Sequence, residues 1–100
     1  VSDMRSLVIM KKTKLPIIFD ATHSVQLPGG KGDSSDGQSE FVEVLAKAAV
    51  TTPISGIFME THENPSTAPS DGANMIPLKK LGNLIHSIKL YDNLSKNELV

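Results

Sequence analysis

The sequence predicts the α/β class, a parallel sheet covered by helices, and three observations point there. Two short runs, Ile17-Ile18-Phe19 and Gly56-Ile57-Phe58-Met59, are apolar at consecutive positions, and each closes on polar residues. Each is followed by a breaker-rich stretch, and each stretch by apolar residues at helical spacing. Continuous apolar runs belong to strands buried on both faces, the condition of parallel sheets under helices rather than of antiparallel sheets with one wet face. A content of 39% hydrophobic and 21% charged residues suits such a globular unit, and one hundred residues allow one domain at most.

The chain opens with Met4, Leu7, Val8, Ile9 and Met10 in a stretch that closes on Lys11, Lys12 and Lys14, a short helix with cations at its C-terminal end. Pro16 stops it. The first strand follows at Ile17 and ends in Asp20, Thr22, His23 and Ser24. Leu27 to Gly37 holds Pro28, Gly29, Gly30, Gly32, Asp33 and Gly37, too many breakers for regular structure, and reads as a long mobile loop. Ser35 and Gln38 have capping-box spacing, and Phe41, Val44, Leu45, Ala48 and Ala49 then repeat at helical spacing through Val50. After Pro53 the second strand closes on Glu60, Thr61 and His62, and Glu63 to Met75 forms another polar loop. Pro77, in a first-turn position where its missing N–H costs nothing, opens a last helix with Leu78, Leu81, Leu84, Ile85 and Ile88 along one face. Beyond Tyr91, residues Asn93, Ser95 and Asn97 predict a frayed end.

Charge and composition exclude several classes of function. Ten Lys and Arg against eleven Asp and Glu leave a formal charge of -1, so there is no electrostatic footprint for nucleic acid or an anionic membrane. Without cysteine the residues form no disulfide, thiolate zinc site or cysteine nucleophile, and a reducing cytosol fits. No apolar run approaches the roughly 20 residues of a membrane span, and Val1 to Lys14 lacks the order of a signal peptide. Val1 is not an initiator methionine, so the chain reads as a processed product or an excised piece.

Two strand-then-helix modules have no natural end. Roughly 25 cal/mol per Å² of buried apolar surface does not offset ordering entropy when half of each helix face has no sheet to cover, so further strands are expected. The strand positions Ile17 and Ile57 are 40 residues apart. That exceeds the roughly 31 residues per unit of a 250-residue eight-fold barrel, and the excess lies in the loops after the strands, which in such barrels build the active site.

His23 ends the first strand and Glu60 the second, while Asp71 lies in the loop after the second. Neighbouring strands about 4.8 Å apart bring His23 and Glu60 to one rim. One imidazole and two carboxylates suit a borderline divalent cation such as Mn, Fe, Co or Zn. On spacing alone the plainer reading is the stronger one: loop-edge carboxylates pairing with a lysine, and a histidine at a capped strand end. His62, two residues past Glu60, points the same way along a strand, though a loop hydrogen bond is its plainer role; His86 reads as a surface residue. The loop from Gly29 to Gly37 resembles a phosphate cradle but lacks both motif orders; a mobile lid is an equal reading, and flexibility is its safer meaning. Arg5 and Lys31 are the remaining anion-holding candidates, usually solvated. Ser24, Ser34 and Ser35 sit in no nucleophile elbow, and the four methionines are packing material.

The run Asp20-Ala21-Thr22-His23-Ser24-Val25-Gln26-Leu27-Pro28-Gly29-Gly30, with Met59-Glu60-Thr61-His62 and Ser70-Asp71-Gly72-Ala73-Asn74-Met75, resembles the 3-deoxy-manno-octulosonate 8-phosphate synthase family. The similarity extends from Asp3-Met4-Arg5-Ser6 through the last helix and corresponds to the C-terminal part of that enzyme. The resemblance implies that residues 1–100 are the C-terminal part of a single (β/α)8 barrel domain: Ile17 to Ala21 as strand seven, Gln38 to Val50 as helix seven, Gly56 to Glu60 as strand eight and Leu78 onward as helix eight. It further implies condensation of phosphoenolpyruvate with arabinose 5-phosphate, releasing phosphate, in lipopolysaccharide precursor synthesis by a cytoplasmic homotetramer.

In the family's metal-dependent class, which this sequence resembles, the matching His, Glu and Asp hold the metal, implying His23, Glu60 and Asp71, with His23 and Asp71 also catalytic. A fourth ligand there is a cysteine near the chain start, which these residues lack. Gln26, Pro28, Gly29, Gly30 and Asn74 fall on the substrate and lid loops. Ser39 stands where the family commonly has Arg, the family has a Gly near Pro53, and Pro69 replaces a Leu, changes that bear on loop closure, anion binding and the aim of Asp71. The family's phosphate-holding cations come from earlier strands, so two hypotheses stand: part of a synthase active only in the complete barrel, or a non-catalytic fragment that binds metal or serves packing.

Overall fold

A computed structural model describes residues 2–25, 39–67 and 75–97. Helix α1 spans Arg5–Lys11, and its start is held from outside, because Asp3 Oδ1 accepts the Arg5 N–H at 2.9 Å and satisfies one of the orphan donors of the first turn. It ends in a tightened turn in which the Lys12, Thr13 and Lys14 N–H groups donate to carbonyls three residues back. Lys14 then takes a left-handed φ of 63°, at a cost of about 1–2 kcal/mol for a residue with a Cβ, and turns the chain toward the sheet. Of the helix's apolar residues only Leu7 is buried; Val8, Ile9 and Met10 are exposed.

Strand β1, Ile18–Asp20, pairs in parallel with β2, Gly56–Phe58, with Ile18 opposite Gly56, Phe19 opposite Ile57 and Asp20 opposite Phe58. The Ser55 N–H to Ile17 carbonyl and the Ala21 N–H to Phe58 carbonyl, both 2.8 Å, extend the pairing at either end. A Cβ on Gly56 would stand 2.9 Å from Ile18 Cδ1, so glycine opposite Ile18 leaves that side chain its room. Phe19 is buried and Ile57 packs against the same core, whereas Ile18 is 58% and Phe58 47% exposed. The expectation of strands buried on both faces is therefore corrected. One face is covered by helices; the alternate residues of the other are open.

A 3-10 turn at Ser39–Phe41 leads into α2, Val42–Val50, and α3 spans Leu78–Lys96. The two helices pack on one another and on the sheet through Val42, Ala46, Ala49 and Val50 of α2 and Leu84 and Ile88 of α3. The expected faces are rotated: Phe41, Val44, Leu78 and Ile85 are exposed, and Leu45 and Leu81 are only partly buried. Two short strands were not expected. Thr61–His62 (β3) and Ile76–Pro77 (β4) pair in parallel, Thr61 opposite Ile76. Pro77 is the last strand residue rather than the first helical one, with ψ 133° at the helix cap. Nor does α3 fray at Asn93: a Lys96 to Asp92 pair at 3.0 Å and a hydrogen bond from Ser95 Oγ to the Thr51 carbonyl at 3.2 Å hold its end. No described helix is long and apolar enough to cross a membrane.

Candidate functional site

The polar ends of β1 and β2 meet. Directly after β1, Asp20 organises the chain locally: its Oδ1 accepts the N–H groups of Thr22 at 3.0 Å and His23 at 2.9 Å, the hydrogen-bonded turn that an Asp side chain readily makes with its own following backbone. A single 3-10 turn, His23–Val25, follows, anchored by Val25 in the core and by Ser24 Oγ donating to the Asp20 carbonyl. This turn lifts the His23 ring to the sheet end. Its Nδ1 lies 2.8 Å from Asp20 Oδ2, its Nε2 lies 3.1 Å from Glu60 Oε1, and the ring stacks near Phe58 at 6.2 Å between centroids.

Glu60 is fixed through its backbone from two sides. Its N–H donates to Thr22 Oγ1 at 2.6 Å, and its carbonyl accepts the Ile76 N–H at 3.1 Å. Thr22 is wholly buried, so this hydroxyl is a structural acceptor inside the core boundary, not a surface group. Thr22→Val keeps the shape but leaves the Glu60 N–H without its partner, an expected loss of about 1–3 kcal/mol in the intact protein. The check is the urea midpoint: it should fall with an unchanged slope, and an unmoved midpoint would count against this role.

The two faces of the His23 ring edge have different chemistry. With Asp20 Oδ2, an acceptor, against Nδ1, the ring proton belongs on Nδ1, and Nε2 then turns a lone pair toward a Glu60 carboxylate oxygen. Two acceptors 3.1 Å apart repel unless positive charge lies between them, either a second ring proton or a cation. Two donors bound to one divalent ion at about 2.0–2.2 Å stand roughly 3–3.5 Å apart, and nitrogen with carboxylate oxygen is a donor set such ions accept, so His23 and Glu60 fit a metal.

Of the sequence candidates, His23 and Glu60 are thus brought together, while Asp71, Gln26, Pro28, Gly29, Gly30 and Asn74 lie outside the described residues, as do Lys31 and the Ser35 and Gln38 cap. Among the described residues no group of three His, Cys, Asp or Glu is placed to hold a metal ion. His62 accepts the Asn64 N–H at 2.9 Å on Nδ1, the loop hydrogen bond, and His86 is exposed. Arg5 forks onto Asp3 at 2.6 Å, which holds the Asp3 carboxyl below its usual range, so this cation is engaged locally. Lys47 is likewise engaged, by Glu43 at 2.6 Å and by the Tyr91 ring at 5.3 Å. A cavity of about 520 Å³ between the starts of α2 and α3 includes neither His23 nor Glu60. Sequence reasoning gave no role to Asp20 or Thr22; an Asp three residues before a His at a strand end is a turn signal that singles out the first, and nothing local singles out the second.

Comparison with known proteins follows the same line. The model of the DAHP synthetase I family matches residues 1–96. The 2-dehydro-3-deoxyphosphooctonate aldolase of Bartonella bacilliformis is 63% identical over 99 residues, 99% of this chain and 35% of that protein. The protein of the same name from Burkholderia cenocepacia is 59% identical over 96 residues, 96% of this chain and 34% of its own length. Among solved structures, a truncated form of 3-deoxy-D-arabino-heptulosonate 7-phosphate synthase from Thermotoga maritima superposes with a TM-score of 0.73 at 29% identity, over 93% of this chain and 32% of that one. The chain spans about a third of the length of the curated relatives it matches.

Proposed function

The chain belongs to the DAHP synthetase I family, and from that premise we propose that it is the C-terminal part of a 3-deoxy-manno-octulosonate 8-phosphate synthase, which joins phosphoenolpyruvate to arabinose 5-phosphate, consumes water and releases phosphate. The observation that carries this choice within the family is the 63% identity to a 2-dehydro-3-deoxyphosphooctonate aldolase across 99% of the chain. On this reading β1 and β2 are barrel strands seven and eight, α2 and α3 their helices, and the open face of Ile18 and Phe58 belongs to the barrel interior. The strands' carboxyl ends, where Asp20, His23 and Glu60 gather, are the end at which such barrels carry their sites.

His23 and Glu60, with Asp71, would hold a divalent cation of the Mn, Fe, Co or Zn kind. When bound, such an ion supplies Lewis-acid polarisation of a substrate oxygen or of water. The chain's own work is to orient the donors: Asp20 fixes the imidazole and Thr22 fixes the Glu60 backbone. Asp71 is assigned proton movement near the reacting centre, and Gln26, Pro28, Gly29, Gly30 and Asn74 are assigned substrate contact and closure against bulk water. A cytoplasmic homotetramer completes the proposal, on the resemblance alone.

Carbon count supplies the test. An eight-carbon product made with three-carbon phosphoenolpyruvate needs a five-carbon aldose phosphate, while a seven-carbon heptulosonate product needs a four-carbon one. Phosphate release by the intact protein is therefore measured with arabinose 5-phosphate and, separately, with a four-carbon aldose phosphate. Release that depends on arabinose 5-phosphate is expected; release with the four-carbon sugar only, or with neither, would overturn the assignment.

A further inference from the structure

The geometry points to Asp20 as a positioning residue that sets the His23 ring tautomer and so makes Nε2 a metal donor. This rests on the proposed reading of His23 and Glu60 as metal ligands. Among the described residues three hydrogen bonds define the Asp20 carboxylate. Oδ1 accepts the backbone N–H of Thr22 at 3.0 Å and of His23 at 2.9 Å, and Oδ2 takes His23 Nδ1 at 2.8 Å. The first two lock the carboxylate to the turn that carries the histidine, so the third is aimed without further ordering. A carboxylate accepts and never donates, so where a cation rather than a second ring proton lies between Nε2 and Glu60 Oε1, 3.1 Å apart, the Asp20 carboxylate keeps the one ring proton on Nδ1 and leaves Nε2 its lone pair. A carboxylate behind a ligating imidazole also raises its donor strength, and removing such a partner weakens metal affinity about 10–100-fold.

Asp20→Asn separates this role from the turn-making one. The amide oxygen can still accept the two backbone N–H groups, but the atom facing Nδ1 becomes an NH2 donor. Nδ1 must then accept, the proton moves to Nε2, and the lone pair toward Glu60 is lost. Asp20→Ala removes the turn bonds as well and serves as the comparison.

The experiment uses the intact protein, stripped of metal, titrated with Co²⁺ against a chromophoric chelator, with the melting temperature of each metal-free variant recorded. Asp20→Asn is expected to bind Co²⁺ about 10–100-fold more weakly at an unchanged melting temperature. In parallel, ¹⁵N chemical shifts of the His23 ring in the metal-free protein should show a proton on Nδ1 in the parent and none on Nδ1 in Asp20→Asn. Equal Co²⁺ affinity in the two proteins, an affinity loss that appears only with an equal loss in melting temperature, or a parent ring protonated on Nε2 alone would each overturn the role of Asp20. If the parent itself binds no Co²⁺, the ligand reading of His23 and Glu60 fails, and the ring shifts still decide whether Asp20 sets the tautomer.

Discussion

In the synthase proposed above, His23→Ala is expected to lose the divalent metal assigned to this site and to release phosphate from phosphoenolpyruvate and arabinose 5-phosphate at least about a thousandfold more slowly, the several kcal/mol that a positioned cation contributes to a charged transition state. The substitution removes the imidazole whose two nitrogens face Asp20 and Glu60 and leaves those residues as two carboxylates with no imidazole between them. The side chain is 41% exposed and its turn is held by Asp20 Oδ1 and by Val25 in the core, so the backbone should survive the change. That makes the outcome readable in two ways. Metal content by elemental analysis should fall toward zero while the circular dichroism spectrum stays that of the parent. Undiminished metal content would sink the ligand assignment even if activity were lost, because an orienting or proton-moving histidine can be essential without holding an ion.

The parts of this fold that depend on local pattern were legible, and those that depend on a partner in space were not. The β1 and β2 runs, the polar residues that close them and the existence of α3, though not its first residue, follow from residue type and period. The burial phase of α2 did not follow, because Phe41, Val42, Val44, Leu45, Ala46, Ala48, Ala49 and Val50 are apolar nearly all the way round; the helix presents Val42, Ala46 and Ala49 to its neighbours because small side chains let α3 and the sheet approach. β3 and β4 are two residues each, too short for any period, and exist through a long-range pairing that Thr61 Oγ1 supports by donating to the Ile76 carbonyl at 2.7 Å. In the site, the meeting of His23 with Glu60 was legible because neighbouring parallel strands end at one rim. The grip of Asp20 on the ring was not: the spacing of Asp20 and His23 signals a turn, but only the tightness of that turn brings the carboxylate to Nδ1.

The hundred residues produced alone are expected to give no sharp monomeric melting transition. The described sheets are pairs, and the face of β1 and β2 away from the helices carries Ile18 and Phe58 in the open. Val8, Ile9, Leu90 and Leu94 are also half exposed or more. Full burial of such a side chain contributes about 1.5–3 kcal/mol, so six of them left roughly half in water forgo about 5–10 kcal/mol, as much as the whole stability of an ordinary domain. The helices still cover one face of the sheet, which favours a collapsed state with much of the helical signal and loose packing over a random coil. Circular dichroism should therefore show substantial helix that declines gradually on heating, and an apolar dye should bind and fluoresce. A single steep transition from a species that sediments as a monomer would overturn the expectation and imply that the described core, from Leu7 to Ile88, is sufficient by itself; the complete barrel proposed above, in which Ile18 and Phe58 would line a closed sheet, should melt cooperatively under the same conditions.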